Sequence, residues 1–263
     1  MDKFYFVVLL FTIACSAPNT TEENSSSAPD PTEQLPATLQ AGLEAHGGLA
    51  TWQQMRTLAY DIDKDSTTTE HQLIDLQNRK VLLSTDDYRL GFDGKEVWVL
   101  PNKAAFGSRS ARFYHNLLFY FYALPFLAAD PGINYESMTD TLNNEAYDAV
   151  KLTYDAGVGD APDDEYILYF DQKTHQMEWL LYTVTYFTGE KGTKYNALNY
   201  AEWQTVNGLR IPRLLTGYTY ANDSIGSKRY DRYFDNVSIS SDVPDQSIFE
   251  VPAGAEIDSL KMN

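Results

Sequence analysis

Residues 112–130 read RFYHNLLFYFYALPFLAAD (Arg112–Asp130), a nearly unbroken apolar run with strand-like segments on either side. Phe113, Leu117, Phe121 and Leu124 recur at intervals of three and four, and Tyr114, Leu118 and Tyr122 form a second such row. Two rows make a helix apolar around most of its circumference, which is the pattern of a buried helix. Pro125 cannot donate to a helical ladder, so the helix is expected to end near Leu124. A second short turn follows over Phe126–Ala129, stopped by Asp130-Pro131-Gly132. His115, Asn116 and Pro125 interrupt the run, whereas a membrane span needs about 20 mostly apolar residues. The segment therefore reads as a hydrophobic plug with a sheet wrapped round it. It serves either as plain core or as the lining or cover of a lipid-sized cavity.

Outward from the plug, the period changes to two. On its N-terminal side, Thr57–Asp63, Thr67–Leu76, Arg79–Ser84, Tyr88–Phe92 and Glu96–Leu100 read as short strands, with Asp93-Gly94 as a type I′ hairpin turn. On its C-terminal side come Asn134–Leu142, Ala146–Tyr154, Tyr166–Asp171, Gln176–Phe187, Tyr195–Trp203, Leu209–Tyr220 and Ser227–Ile239, with a turn at Asn207-Gly208. Tyr166–Phe170 and Met177–Tyr186 are apolar on both faces, so one face can meet the plug while the other, mostly Tyr, keeps its hydroxyls wet. Leu35–Met55 is helical in pattern and is broken at Gly47-Gly48. With no βαβ alternation and no fixed repeat, the expected fold is mainly β with α (α+β). In outline it is a curved antiparallel sheet, an incomplete β-barrel of roughly ten strands, covered by an N-terminal helix and a central helical insert.

The chain has 263 residues, a net charge of −17 and a 14% aromatic fraction that favours sheet. That acidity disfavours nucleic acid and anionic headgroups at long range and keeps the protein soluble and monomeric. Its single cysteine, Cys15, excludes an intrachain disulfide and a multi-cysteine metal site. Phe4–Ala14 has the length of an export-signal core and is too short to span a bilayer. Thr12-Ile13-Ala14-Cys15 resembles the lipobox of bacterial lipoproteins, which implies cleavage before Cys15 and its acylation; the alternative is an ordinary signal peptide cut after Ala17. Ser16–Gln34 is polar throughout and reads as a tether. The expected organisation is a signal peptide over 1–14, lipidated Cys15 and tether over 15–34, one domain over 35–257 and a tail over 258–263.

The order of elements, together with His46-Gly47-Gly48-Leu49…Trp52, Gly91-Phe92-Asp93-Gly94-Lys95-Glu96-Val97-Trp98, Leu124-Pro125-Phe126…Asp130-Pro131-Gly132 and the closing Ser-Ile-Phe-Glu-Val-Pro, resembles the LolA/LolB superfamily of lipoprotein carriers. Within it, the motifs are similar to those of a group of uncharacterised Gram-negative lipoproteins. The resemblance implies an open sheet whose hollow accepts acyl chains, and a place in the cell envelope, on the outer membrane facing the periplasm.

Signals for chemistry are missing. There is no Gly-x-Ser-x-Gly elbow, no His-Glu-x-x-His and no phosphate-binding glycine loop. His46, His71, His115 and His175 are scattered, and Asp155–Glu165 reads as a solvated acidic loop because its spacing is not that of an EF-hand. No catalytic residue, metal or cofactor is assigned. The expected function is a membrane-anchored periplasmic protein that binds a hydrophobic ligand, an acyl chain or a lipidated protein. Phe113, Leu117, Phe121 and Phe126 are the lining candidates and His115 sits at the mouth. The alternatives are a structural or interaction lipoprotein with a filled core and, further off, a hydrolase.

Overall fold

Strand β1 (Thr57–Asp63) shows how the sheet begins: Leu58, Tyr60 and Ile62 face inward at 0–1% exposure, and the residues between them face out. The computed structural model describes residues 35–259 except 108, 109, 156, 158, 189, 190 and 193. The export signal, Cys15 and the tether lie outside the described residues. Next to β1, β2 (Thr69–Asp75), β3 (Val81–Ser84), β4 (Arg89–Phe92) and β5 (Val97–Leu100) continue as an antiparallel meander. After the central segment come β6 (Ile133–Leu142), β7 (Glu145–Tyr154), β8 (Tyr166–Asp171), β9 (Met177–Tyr182) and β10 (Asn196–Ala201). A small hairpin, β11 (Gln204–Val206) and β12 (Leu209–Ile211), precedes β13 (Leu214–Ala221), β14 (Ser224–Tyr233), β15 (Asp235–Ser240) and the two-residue β16 (Glu256–Ile257).

These strands form two seven-stranded sheets, ordered β15-β1-β2-β3-β4-β5-β16 and β14-β13-β10-β9-β8-β7-β6. β14 and β15 are one run of chain interrupted only at Phe234, so a single bent strand carries one sheet into the other. At their far edges, β16 and β6 have no neighbour beyond them among the described residues, and these strands do not close into a barrel. This is the expected open antiparallel wall. It holds fourteen short strands among the described residues, with β11 and β12 as a separate hairpin, where the sequence period gives about ten; apparent long strands break at Pro212-Arg213 and at Phe234.

The central segment runs from β5, next to the edge strand β16 of the first sheet, to β6 at the open edge of the second. It is α3 (Lys103–Phe106), α4 (Ala111–Tyr114), α5 (Leu117–Tyr122) and a 3-10 turn over Phe126–Ala129. The single expected helix is divided at His115-Asn116. There the His115 ring bonds back to the Arg112 carbonyl, a side-chain contact that competes with the helical ladder. Ser110 caps α4 by accepting from the Phe113 N–H, and Asp258 holds the Arg112 N–H.

The quoted motifs are packing devices. α1 (Ala37–Ala45) and α2 (Leu49–Gln54) meet at Gly47-Gly48, both at positive φ. A Cβ on Gly47 would lie 2.2 Å from the Gly208 carbonyl oxygen, so the backbone approaches too closely for any side chain. His46 is fully buried. Its Nε2 accepts the Met177 N–H at 3.0 Å, which leaves Nδ1–H to donate to the Arg210 carbonyl at 2.8 Å. Burial lowers its pKa to about 4, so it is a neutral tie between the helices and two strands. Gly91 faces Trp98 across β4 and β5, where a Cβ would strike the indole at 2.3 Å. Trp98 in turn donates to the Phe249 carbonyl and docks the C-terminal segment on the outer face of the first sheet.

Two expectations are corrected. At Asp93-Gly94 only the glycine has positive φ, so the turn is a four-residue loop over 93–96 and not type I′; the Asp93 carboxylate holds it by accepting from the Lys95 and Glu96 N–H groups. Asn207-Gly208, with both residues at positive φ, is a type I′ link between β11 and β12. The acidic loop is not simply solvated: Asp164 and Glu165 are buried, and Asp160 pairs with Arg112 on the plug.

Candidate functional site

Between α4–α5 and the second sheet the packing opens into a cleft with a volume of about 140 Å³. Phe113, Asn116, Leu117, Tyr120 and Phe121 form its helical wall. Tyr154 at the end of β7, Tyr166 at the start of β8, Tyr186 beyond β9 and the 159–164 stretch form the opposite wall. The rings interlock at the edges: Phe121 meets Tyr182 at 4.6 Å, Phe113 meets Tyr186 at 5.1 Å, and Tyr154 stands edge-on to Tyr166 at 5.8 Å.

Charge gathers at one end. Arg112 donates to both oxygens of Asp160, at 2.8 and 3.0 Å. Asp164 accepts the Thr185 N–H at 2.6 Å and the Thr183 hydroxyl at 3.4 Å, both on Oδ1. Burial pushes the Asp164 pKa up, against the pull of those two bonds. Next to it Glu165 takes Lys151 and Lys191, each at 2.8 Å, and the Tyr195 hydroxyl at 2.6 Å. Burial would raise Glu165 as well, but these bonds outweigh it and hold the carboxyl at about 2.

Of the five predicted site residues, the structure brings Phe113, Leu117 and Phe121 together on the cleft. Phe126 lies elsewhere, 1% exposed and stacked on Trp52 at 4.7 Å. His115 faces Phe92 at 4.9 Å and is buried, which lowers its pKa to about 4. Tyr154, Tyr166, Tyr186, Asp160 and Asp164 were not singled out by the sequence. For Tyr166 and Tyr186 the one signal is the both-faces-apolar, Tyr-rich character of 166–186, and Asp160 and Asp164 stand in the sequence only as members of the acidic loop.

On the other side of α4, facing the first sheet, Glu70 is fully buried in a polar knot. It accepts from the hydroxyls of Tyr88 and Tyr114 (the latter at 3.0 Å) and from Gln72 at 2.7 Å, with the Lys64 ammonium 3.5 Å away. Tyr114 thus fastens the plug to the sheet. Burial followed by the Glu70 charge raises the Tyr88 and Tyr114 pKa values, so both stay protonated donors.

No group of three or more His, Cys, Asp or Glu side chains among the described residues is placed to hold a metal ion. His71 pairs with Asp61 at 2.5 Å on the exposed outer face of the first sheet, away from the cleft. No helix among the described residues is long and apolar enough to cross a membrane.

The geometry defines a class: an open antiparallel wall with a helical plug and one ring-lined cleft beneath it. The chain belongs to a family of unknown function, DUF6503, whose pattern matches residues 61–205 and so spans every residue of the cleft. No curated protein matches it. Among solved structures it is similar to a LolA superfamily protein from Nitrosomonas europaea, at 10% identity over 81% of this chain and 96% of that one, with a TM-score of 0.47. It is also similar to a putative outer membrane lipoprotein-sorting protein domain from Vibrio parahaemolyticus, at 10% identity over 80% and 96%, with a TM-score of 0.43. A further similarity is to MucB, solved in complex with MucA(peri), at 11% identity over 88% and 62%, with a TM-score of 0.23.

Proposed function

We propose that the chain is a lipid-anchored protein of the cell envelope, on the outer membrane facing the periplasm, and that it binds a hydrophobic ligand without catalysis. The observation that carries this reading is the ring-lined cleft of about 140 Å³ between the plug and the second sheet. Ligand pockets for drug-sized molecules begin at roughly 300 Å³. This one is close to the ~150 Å³ that admits a benzene ring, which is room for a segment of about five methylenes of an acyl chain. Burying that segment contributes about 4 kcal/mol before ordering costs, at about 0.8 kcal/mol per methylene. A longer chain needs α4–α5 to lift from the second sheet. Residues 35–257 would form the binding domain, and Cys15 the anchor.

A second reading, an interaction lipoprotein with a filled core, is favoured by the packing elsewhere: Trp52, Phe119, Tyr122, Phe126 and Phe234 occupy the rest of the concave side. The test is lipid extraction and mass spectrometry of the purified chain, alongside Leu117→Trp, which fills the cleft. Acyl lipids that co-purify with the native chain and are lost in the variant support binding; a native chain free of any exchangeable lipid supports the filled-core reading. Palmitate labelling of the native chain and of Cys15→Ser tests the anchor.

A further inference from the structure

The cleft is lined by six aromatic rings, those of Phe113, Tyr120, Phe121, Tyr154, Tyr166 and Tyr186. Ring faces carry negative potential and attract cations, most of all where water is excluded. The charges around them are unequal. Arg112, the one cation lining the cleft among the described residues, is taken by both oxygens of Asp160. The second carboxylate, Asp164, has no cationic partner among the described residues: its Oδ1 is satisfied by Thr185 and Thr183, and its Oδ2 takes no hydrogen bond from them. The neighbouring lysines, Lys151 and Lys191, are both spent on Glu165. With both carboxylates ionised, the described residues of the lining carry one positive charge and two negative ones. An anionic headgroup entering here meets Asp164 and finds the guanidinium occupied.

We propose that this cleft selects an organic cation, an amphiphile whose ammonium or trimethylammonium group sits among the lining rings beside Asp164 while its apolar remainder follows Phe113, Leu117 and Phe121. The inference rests on the cleft being the binding site and adds the charge of the ligand. Size agrees for the headgroup: about 140 Å³ is close to the ~150 Å³ that admits a benzene ring, and a trimethylammonium group is no bulkier, so a longer apolar remainder enters only as α4–α5 lift from the second sheet. The net charge of −17 also draws cations toward the surface. Burial raises the Asp164 pKa, and a bound ammonium would bring it back down.

The experiment is calorimetric titration of the full chain carrying Cys15→Ser with decyltrimethylammonium, decanol and decanoate, each below its micellar concentration. The cation is expected to bind about tenfold or more tightly than decanoate. Asp164→Asn should erase that preference and leave decanol unchanged, while Tyr186→Leu should weaken the cation more than decanol. Glu145→Gln, an exposed charge on the β6–β7 hairpin, should leave the preference intact. Equal binding of all three ligands, or equal loss of preference in Asp164→Asn and Glu145→Gln, would overturn the charge selection while the apolar cleft stands. If no ligand binds, the cleft itself fails as a site. Thermal melts of each variant establish that it is folded.

Discussion

The two halves of the central segment are both rich in large apolar residues and meet different fates. From Tyr122 to Ala128 the chain is sealed: Tyr122, Phe126, Leu127 and Ala128 are each at most 1% exposed. There Phe126 lies flat on Trp52, and Tyr122 meets Phe234 at 4.3 Å, at the bend between the sheets. From Arg112 to Phe121 the rings meet the second sheet only at their edges, as Phe121 does at Tyr182, and leave space between. Apolar composition alone therefore does not separate a core from a binding surface. What separates them is whether the facing strand supplies matching bulk.

The largest effect that would break this contrast is at Phe126. Phe126→Ala should destabilise the fold by about 3–5 kcal/mol, read from urea unfolding, because a sealed ring leaves a void. A loss below 1 kcal/mol would show that the sealed half is not sealed. Next comes pH. His46 and His115 are lowered by burial from 6.5 to about 4. Between those values the unfolded chain binds protons that the folded chain refuses, so their contribution is complete above about pH 6.5 and drains as pH falls to 4. Each is worth up to about 3 kcal/mol. Unfolding midpoints that stay level from pH 7 to pH 4 would count against both burials.

Two tyrosines on one side of the plug sharpen the comparison by opposite signs. Tyr114→Phe removes a donor from the buried Glu70 carboxylate and should cost about 2 kcal/mol. Tyr122→Phe removes a buried hydroxyl that has no partner among the described residues and should stabilise by about 1 kcal/mol. The smallest effect belongs to the open half. Phe113→Ala, half-buried at the cleft, should shift stability by less than about 1 kcal/mol while reducing lipid recovery, and a loss as large as that of Phe126→Ala would erase the distinction.

The period of the plug was legible, and the structure gives its two rows separate meanings. Phe113, Leu117 and Phe121 face the cleft, whereas Tyr114 and Tyr122 face the first sheet, through Glu70 and Tyr60. Helical spacing defines such faces; it does not say which partner each will find. That is why Phe126, equally apolar, went to Trp52, and why the far wall at Tyr154, Tyr166 and Tyr186 was not identified. Those residues reach the cleft through strand pairing at long sequence separation. The bend at Phe234 was also hidden, because 227–239 reads as one strand and a change of sheet leaves no mark on alternation. The motifs were legible as patterns, but their content is steric: Gly47 yields to Gly208, and Gly91 to Trp98.

The strand that turns at Phe234 acts as the spine of a book whose covers are the two sheets. Covers joined along one side part most at the other, and the central segment leaves the first cover at β5, dips to the spine at Tyr122 and reaches the second cover at β6. A guest longer than a few methylenes would be registered at the parted side first, as a widening between β6 and β16, while the pages near the spine stay shut.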